Sequence, residues 1–279
     1  PRRGAGGGQV HPGPEGFFRD HPGLANLFVK SIDTILQDPE VRVVGGDHRR
    51  HPFCYPYVKA CLESGRSVCT SNKEMVATYG AELLGLAKAH DCAFLFEASV
   101  GGGTPIITPM HQCLAANVIS EVEGIVNGTT NFMLTNMVRE NLSFDDALKV
   151  AQELGYAETK DPSDDVDGRD ACRKIAILSS LVCGHQIYPQ NIPTRGIRAI
   201  TTADVEAAEK LGCVIKLIAW MKRGKDAAWL PVWSRVWCPR QTSWPAWTTC
   251  STRCWSRAIC WATWCSTARA RASCPPPAP

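Results

Sequence analysis

The sequence predicts an α/β protein in which an incomplete doubly wound domain is followed by a second, α+β domain. Three observations carry this. Strands and helices alternate from residue 26 to Glu97 at the spacing of parallel β/α units. A glycine-rich run, SVGGGTP, follows directly on the last of those strands. Beyond it, up to Lys225, a strand leads into helices, an acidic loop interrupts them, and a helix and strand close the pattern. The expected boundaries are 1–25, 26–97, 98–226 and 227–279, and 279 residues leave room for two cores.

Residues 1–25 are rich in Gly, Pro, Arg and His without periodicity, so disorder is expected there. The run has no apolar stretch and is not a secretory signal. GAGGG at 4–8 would need a strand before it and a helix after it to hold a pyrophosphate, and has neither. A helix near 26–37 comes next, then DPEVRVV as a strand, PYVKACLESG as a helix, RSVCTSN as a strand, KEMVATYGAELLGLAKAH as a long helix, and DCAFLFEAS as a strand. Lys73 stands at a strand's carboxyl end, where such folds put ligands. A surface lysine in a first helical turn would look the same. No strand–glycine–helix fingerprint precedes it, and VVGGDHRRHPFCYP lacks an apolar continuation, so the adenosine half of a dinucleotide site is expected to be missing.

From Glu97, three glycines let the backbone turn and approach a ligand, and Pro105 precedes an apolar helix start. EVEGIVNGTTNFMLTNM reads as a strand running into a helix through an Asn127-Gly128 turn, with Thr129 or Thr130 capping. FDDALKVAQELGY is an amphipathic helix stopped by Gly155. A loop with Glu158, Asp161, Asp164, Asp165 and Asp167 leads to a further helix, with Asp167 as the expected N-cap. In it Asp170 and Lys174 are i, i+4 neighbours, and Lys174 heads an apolar stripe through Ile177, Leu178 and Leu181. A helix salt bridge with a snorkelling lysine explains the pair blandly. The functional reading has a lysine and carboxylates converging on a polar substrate. IPTRGIRAI is expected as a strand, Thr202 and Asp204 start the next helix, and Gly212 ends it before a last strand.

The string ELGYAETKDPSDDVDGRDACRK resembles the substrate-domain motif of homoserine dehydrogenase, GYAE, then DP, then D-x-x-G-x-D-x-x-x-K, with one extra residue between Glu158 and the DP pair. SVCTSNKEMVA and FEASVGGGTPIITPM resemble the same family, apart from Thr104 where an aliphatic residue is usual. The resemblance runs from about Leu27 to Lys225. It implies a Rossmann-like nucleotide domain, and a substrate and dimerisation domain with a mixed sheet. The implied reaction is the NAD(P)-dependent interconversion of L-homoserine and L-aspartate 4-semialdehyde in threonine, methionine and isoleucine synthesis. Carried across by motif, Lys174 and Asp170 are catalytic, Glu158 and Asp170 meet the substrate, and Lys73 and Gly155 meet NADP or NAD. The Glu97 side chain with the carbonyls of Val100, Gly102 and Thr104 would bind a sodium ion. The family also implies a cytosolic homodimer.

The chemistry asks for a group that protonates a developing alkoxide within hydrogen-bond reach. A lysine does this when apolar packing lowers its pKa and a carboxylate orients it. Lys174 and Asp170 suit those roles. Two other classes compete: an inactive fragment that keeps the substrate domain, and a binding or regulatory protein that uses the fold without chemistry.

The net charge of +3 is unevenly spread. Residues 227–279 hold six arginines and no acid, and the rest carries 24 basic and 27 acidic side chains, which excludes a nucleic-acid footprint in the body. No apolar run is long enough to span a membrane. The tail also holds eight of nine tryptophans and six of fourteen cysteines, and lacks Gly and Asn. It reads as an out-of-frame translation without regular structure. A membrane-surface or nucleic-acid tail is the alternative. No C-x-x-C pair occurs, which argues against a tetrathiolate zinc site.

Overall fold

The structure, a computed structural model, describes residues 32–46, 51–223, 229–239, 251–258 and 263–269. Side chains are described over 32–45 and 54–222, and the backbone alone elsewhere. The chain divides into two compact units, 1–42 and 43–279. In the first, the described element is helix α1 (Ile32–Gln37), the end of the helix expected over 26–37. The expectations for residues 1–25, GAGGG included, lie outside the described residues.

The second unit begins with a parallel sheet in the order β1-β2-β3, made of Val43–Gly46, Ser67–Thr70 and Phe94–Leu95. Val68 is the register residue, paired with Val44 on one side and Phe94 on the other. Helix α2 (His51–Glu63) connects β1 to β2, and α3 (Lys73–Ala89) connects β2 to β3. Parallel strands need such crossovers, which is the pattern the alternation predicts. Cys61, Leu62, Val68, Met75 and Leu83 make its core. Asn72 caps α3 by accepting the Met75 N–H at 2.9 Å, so Lys73 enters the helix at its first position. The strand expected over DCAFLFEAS is cut to two residues. The Ser99 N–H and hydroxyl both donate to the Phe96 carbonyl, and Glu97–Ser99 coil into a single 3₁₀ turn.

The chain then forms α4 (Ile107–Gln112), β4 (Ile119–Ile125), α5 (Gly128–Arg139), α6 (Phe144–Glu153), α7 (Ser163–Val166), α8 (Arg169–Cys183) and α9 (Thr202–Lys210). Strand β5 (Cys213–Arg223) follows, then β6 (Trp229–Pro239), β7 (Ser251–Ala258) and β8 (Thr263–Arg269). These strands join β4 in one sheet, ordered β6-β5-β4-β7-β8. Every pairing in it is antiparallel, which corrects the expected mixed sheet. The links at 224–228 and 259–262 are too short for a parallel crossover, so sequential strands turn back on each other. Ile125 and Ile218 pack at its centre. No described helix is long and apolar enough to cross a membrane.

The last three strands occupy the tail in which the sequence suggests no regular structure. It holds eight tryptophans and six threonines, and aromatic and β-branched residues fit a pleated surface better than any other element. That preference outweighs the missing acids and glycines. Two further expectations are corrected. No strand forms over IPTRGIRAI, residues 192–200, which run irregularly after a 3₁₀ turn at Pro189–Asn191. There the Ile197 N–H donates to the Val166 carbonyl, and a Cβ on Gly196 would stand 2.0 Å from that same oxygen. Nor does Asp167 cap α8. It is the C-cap of the short α7, and Gly168, in the left-handed region at φ 81°, starts α8 without a side-chain cap. The Asp167 carboxylate instead accepts from Arg198 Nε at 2.9 Å.

Candidate active site

Three backbone features bring the site together. Helix α8 packs against α3 and β5, so its first turn faces the start of α3. Asn127 caps α5 by accepting the Thr130 N–H at 2.8 Å, which aims the Asn127-Gly128 turn at the same place; the cap is Asn127, one turn before the threonines the sequence suggested. Thr129 Oγ1 donates to the Tyr156 carbonyl at 2.7 Å, and Phe132 and Tyr156 rings lie 4.4 Å apart, so the end of α6 is tied to α5. Between these elements lies a cleft of about 230 Å³, lined by Lys73, Val100–Thr104, Asn127–Thr129, Tyr156, Asp165, Asp170 and Lys174. It opens at the carboxyl ends of β2 and β3, as ligand sites in parallel sheets do.

Asp170 is the centre, with 2% of its side chain exposed. Its Oδ1 pairs with Lys73 Nζ, and its Oδ2 with Lys174 Nζ at 2.9 Å. Asn127 Nδ2 donates to the same Oδ2 at 2.9 Å. Burial alone would raise this carboxyl, but the two ammoniums, Lys174 before Lys73, and the Asn127 amide hold it far below the carboxylate range. Lys174 also donates to the Val126 carbonyl at 2.8 Å. Two of its three hydrogens are therefore used, and the third is left for a ligand in the cleft. Lys174 is 17% exposed and Lys73 37%, so both reach solvent through the cleft while anchored on a buried acid.

Asp165 completes the charged set. Its Oδ1 accepts from Asn127 Nδ2 at 2.7 Å. Burial pushes its carboxyl up, the Asn127 hydrogen bond opposes this, and the charge of Asp170 adds to the rise against Lys73 and Lys174. Two basic and two acidic side chains, Lys73, Lys174, Asp165 and Asp170, thus line the cleft. Arg173, bonded to Asp164 at 2.8 Å and 3.8 Å from Glu74, ties α7, α8 and α3 together outside it.

The structure thus brings together Lys73, Asp170, Lys174 and the loop residues Val100, Gly102 and Thr104. It does not bring in Glu158 or Gly155. Both are exposed and neither lines the cleft. Gly155 is the left-handed stop of α6, at φ 75°. Glu158 lies in the loop lengthened by one residue, and its carbonyl accepts from Gln152 Nε2 at 3.1 Å. Asp165 and Asn127 are the site residues that the sequence reading passed over. Asp165 was one of five acids in a polar loop, and Asn127 showed only as half of a turn dipeptide.

Glu97 has a different task from the expected one. Its Oε1 accepts the N–H groups of Ile106 and Ile107, and its Oε2 the N–H and hydroxyl of Thr108, at 2.6–2.8 Å. Burial would raise its carboxyl, but these donors hold it below the ordinary value. A carboxylate has about four lone-pair sites, and all four are taken by the start of α4. The Thr104 carbonyl faces Gly101, where a Cβ would stand 2.7 Å from it, so this loop closes only on glycine.

The chain is similar in sequence and fold to known proteins. Residues 105–239 match the family described as homoserine dehydrogenase, which carries the resemblance past Lys225 into β6. A homoserine dehydrogenase of Lactococcus lactis is 41% identical over 190 residues, covering 68% of this chain and 44% of its own length. The chain therefore spans less than half of that relative. The crystal structure of a homoserine dehydrogenase from Thiobacillus denitrificans superposes with a TM-score of 0.83 at 31% identity, over 90% of this chain and 58% of that one. A hyperthermophilic archaeal homoserine dehydrogenase in complex with NADPH gives a TM-score of 0.73 at 25% identity, over 91% and 75%.

Proposed function

We propose that this chain, whose residues 105–239 belong to the homoserine dehydrogenase family, catalyses the NADP(H)-linked interconversion of L-homoserine and L-aspartate 4-semialdehyde. One observation carries the reading: a buried carboxylate, Asp170, holds two lysines at one cleft, with a hydrogen of Lys174 left over. A purely structural ion pair needs one lysine and no cleft.

The nicotinamide cofactor supplies the hydride when bound. The residues present fit its reactive end: Lys73 and the capped start of α3 stand at the carboxyl ends of the parallel strands, and the glycines at 101–103 admit a flat group to the backbone. Lys174 gives its free hydrogen to the alkoxide oxygen and takes it back in the oxidative direction. Asp170 remains ionised and fixes the direction of that hydrogen. Asp165 meets the substrate's ammonium inside the cleft, in the role that the motif gave to Glu158, which lies outside it. A sodium ion would take the carbonyls of Val100, Gly102 and Thr104. The Glu97 carboxylate, committed to α4, does not fit as its ligand, and no step depends on the ion.

The face of the five-stranded sheet is the surface on which two copies would pair. The buried thiols of Cys54, Cys61 and Cys172 suit a reducing cytosol. The reading is tested by following NADPH oxidation with aspartate semialdehyde and with an aldehyde of the same length lacking the ammonium. The account expects only the first to be reduced efficiently. Equal rates for both would remove Asp165 from substrate recognition, and NADPH binding without reduction of either would favour a binding protein.

A further inference from the structure

The amide of Asn127 does more than cap a helix. Its Oδ1 accepts both the N–H of Thr130 at 2.8 Å and the Thr130 hydroxyl at 2.9 Å. Both lone pairs of that oxygen are occupied, so the orientation of the amide is set from inside α5. The two hydrogens of Nδ2 are thereby turned outwards, one to Asp165 Oδ1 at 2.7 Å and one to Asp170 Oδ2 at 2.9 Å. The residue is 5% exposed.

We propose that Asn127 is a positioning residue whose two amide hydrogens hold the carboxyl groups of Asp165 and Asp170 side by side across the floor of the cleft. The two carboxylates come from α7 and α8 and repel each other. A bridge between two acceptors must donate twice from one atom while being fixed at its other end. Asparagine does both. Aspartate offers the cap but no hydrogens, serine offers the cap but a single hydrogen, and glutamine moves the amide one methylene away from the cap. The charged groups facing Asp165 are Asp170 and Lys174 from α8 and Lys73 from α3. Asp170 keeps two direct ion pairs without Asn127, whereas Asp165 is left with burial and the charge of Asp170, opposed only by lysines that do not bond to it. Loss of the bridge therefore falls on Asp165, which protonates at higher pH and swings free of the cleft floor.

The inference rests on the proposed reading for its meaning in turnover, but its first test does not use turnover. Protein labelled at the aspartate carboxyl carbon is titrated by NMR, the Asp165 signal being identified by its loss in Asp165→Asn. Asn127→Ser and Asn127→Asp both keep a cap acceptor for the Thr130 N–H, and melting curves establish that they fold. The midpoint of Asp165 is expected to rise in both, by about half a pH unit or more, as follows when a hydrogen bond to the charged form is lost. The acid limb of the pH profile for homoserine oxidation should rise with it, with kcat depressed at low pH. An unchanged Asp165 midpoint in a folded variant overturns the proposal, whether or not the chain turns over. A shifted midpoint in a protein without homoserine turnover would uphold the bridge and reject the proposed activity.

Discussion

Lys73 and Asp170 lie 97 positions apart in sequence and in direct ion-pair contact in the fold. One opens the long helix of the parallel β/α layer and the other the first turn of the buried helix α8. The pair joins the layer that would hold a cofactor to the helix that would hold a substrate. Asp170 can do this because its second oxygen is held by Lys174 and Asn127, which keeps it ionised although it is buried.

Asp170→Asn keeps the shape and removes the charge shared by two lysines. Breaking a buried ion pair by removing one partner costs about 3–5 kcal/mol. Here both lysines reach the cleft, so a loss nearer the lower figure is expected. Chemical denaturation of the variant, beside turnover, checks it. A stability equal to that of the parent would contradict the arrangement described.

Lys174→Ala removes the proposed proton donor and leaves the Lys73–Asp170 pair in place. General acid–base catalysis is worth about 10²–10⁴ in rate. The expected outcome is a fall of that order in kcat with a much smaller change in KM, read from initial rates across the pH range. A kcat within about threefold of the parent would transfer the role elsewhere, with Lys73 the next candidate.

Asp165→Asn separates stability from function. Its carboxyl is raised in the fold, so the folded state holds that proton more tightly than the unfolded chain does. The ionised form is therefore a burden on stability that builds as pH rises from the unfolded value to the raised folded value and stays constant above it. The neutral variant should melt at a higher temperature than the parent at neutral pH, yet bind homoserine more weakly by calorimetry. A variant that melts lower would show that the ionised carboxylate stabilises the fold.

Glu97 behaves in the opposite sense. Its carboxyl is lowered in the fold, so its contribution is present above the unfolded value of about 4.3 and is lost as pH falls through the lower folded value. Glu97→Gln should be less stable than the parent at neutral pH, and the gap should close in acid. Melting temperatures across that range check it, and a gap independent of pH would be contrary to the clamp on α4.

What was legible in the sequence follows from how local each signal is. The α3 boundary at Lys73 and the stop at Gly155 depend on neighbours within one turn and stand where expected, whereas the first crossover helix, expected from Pro56, already begins at His51. Asp170 and Lys174 were marked out by their place on an otherwise apolar face. The pairing of Lys73 with Asp170, the bridging amide of Asn127 and the inward turn of Asp165 join distant segments, and no spacing announces them. Asp167 misled because a capping residue looks the same whether it begins α8 or ends α7. In the tail, unusual composition hid strand-forming residues that pair with β4 and β5.

The central claim is that the Lys73–Asp170–Lys174 cluster performs homoserine oxidoreduction. The most direct measurement is homoserine-dependent formation of NADPH by the purified chain, followed by absorbance, with Lys174→Ala assayed at equal concentration and equal NADPH affinity. The account predicts turnover in the parent that requires homoserine and falls by about a hundredfold or more in the variant. Binding of NADPH by the parent with no homoserine-dependent reduction of NADP, or turnover that survives the loss of Lys174, would contradict it.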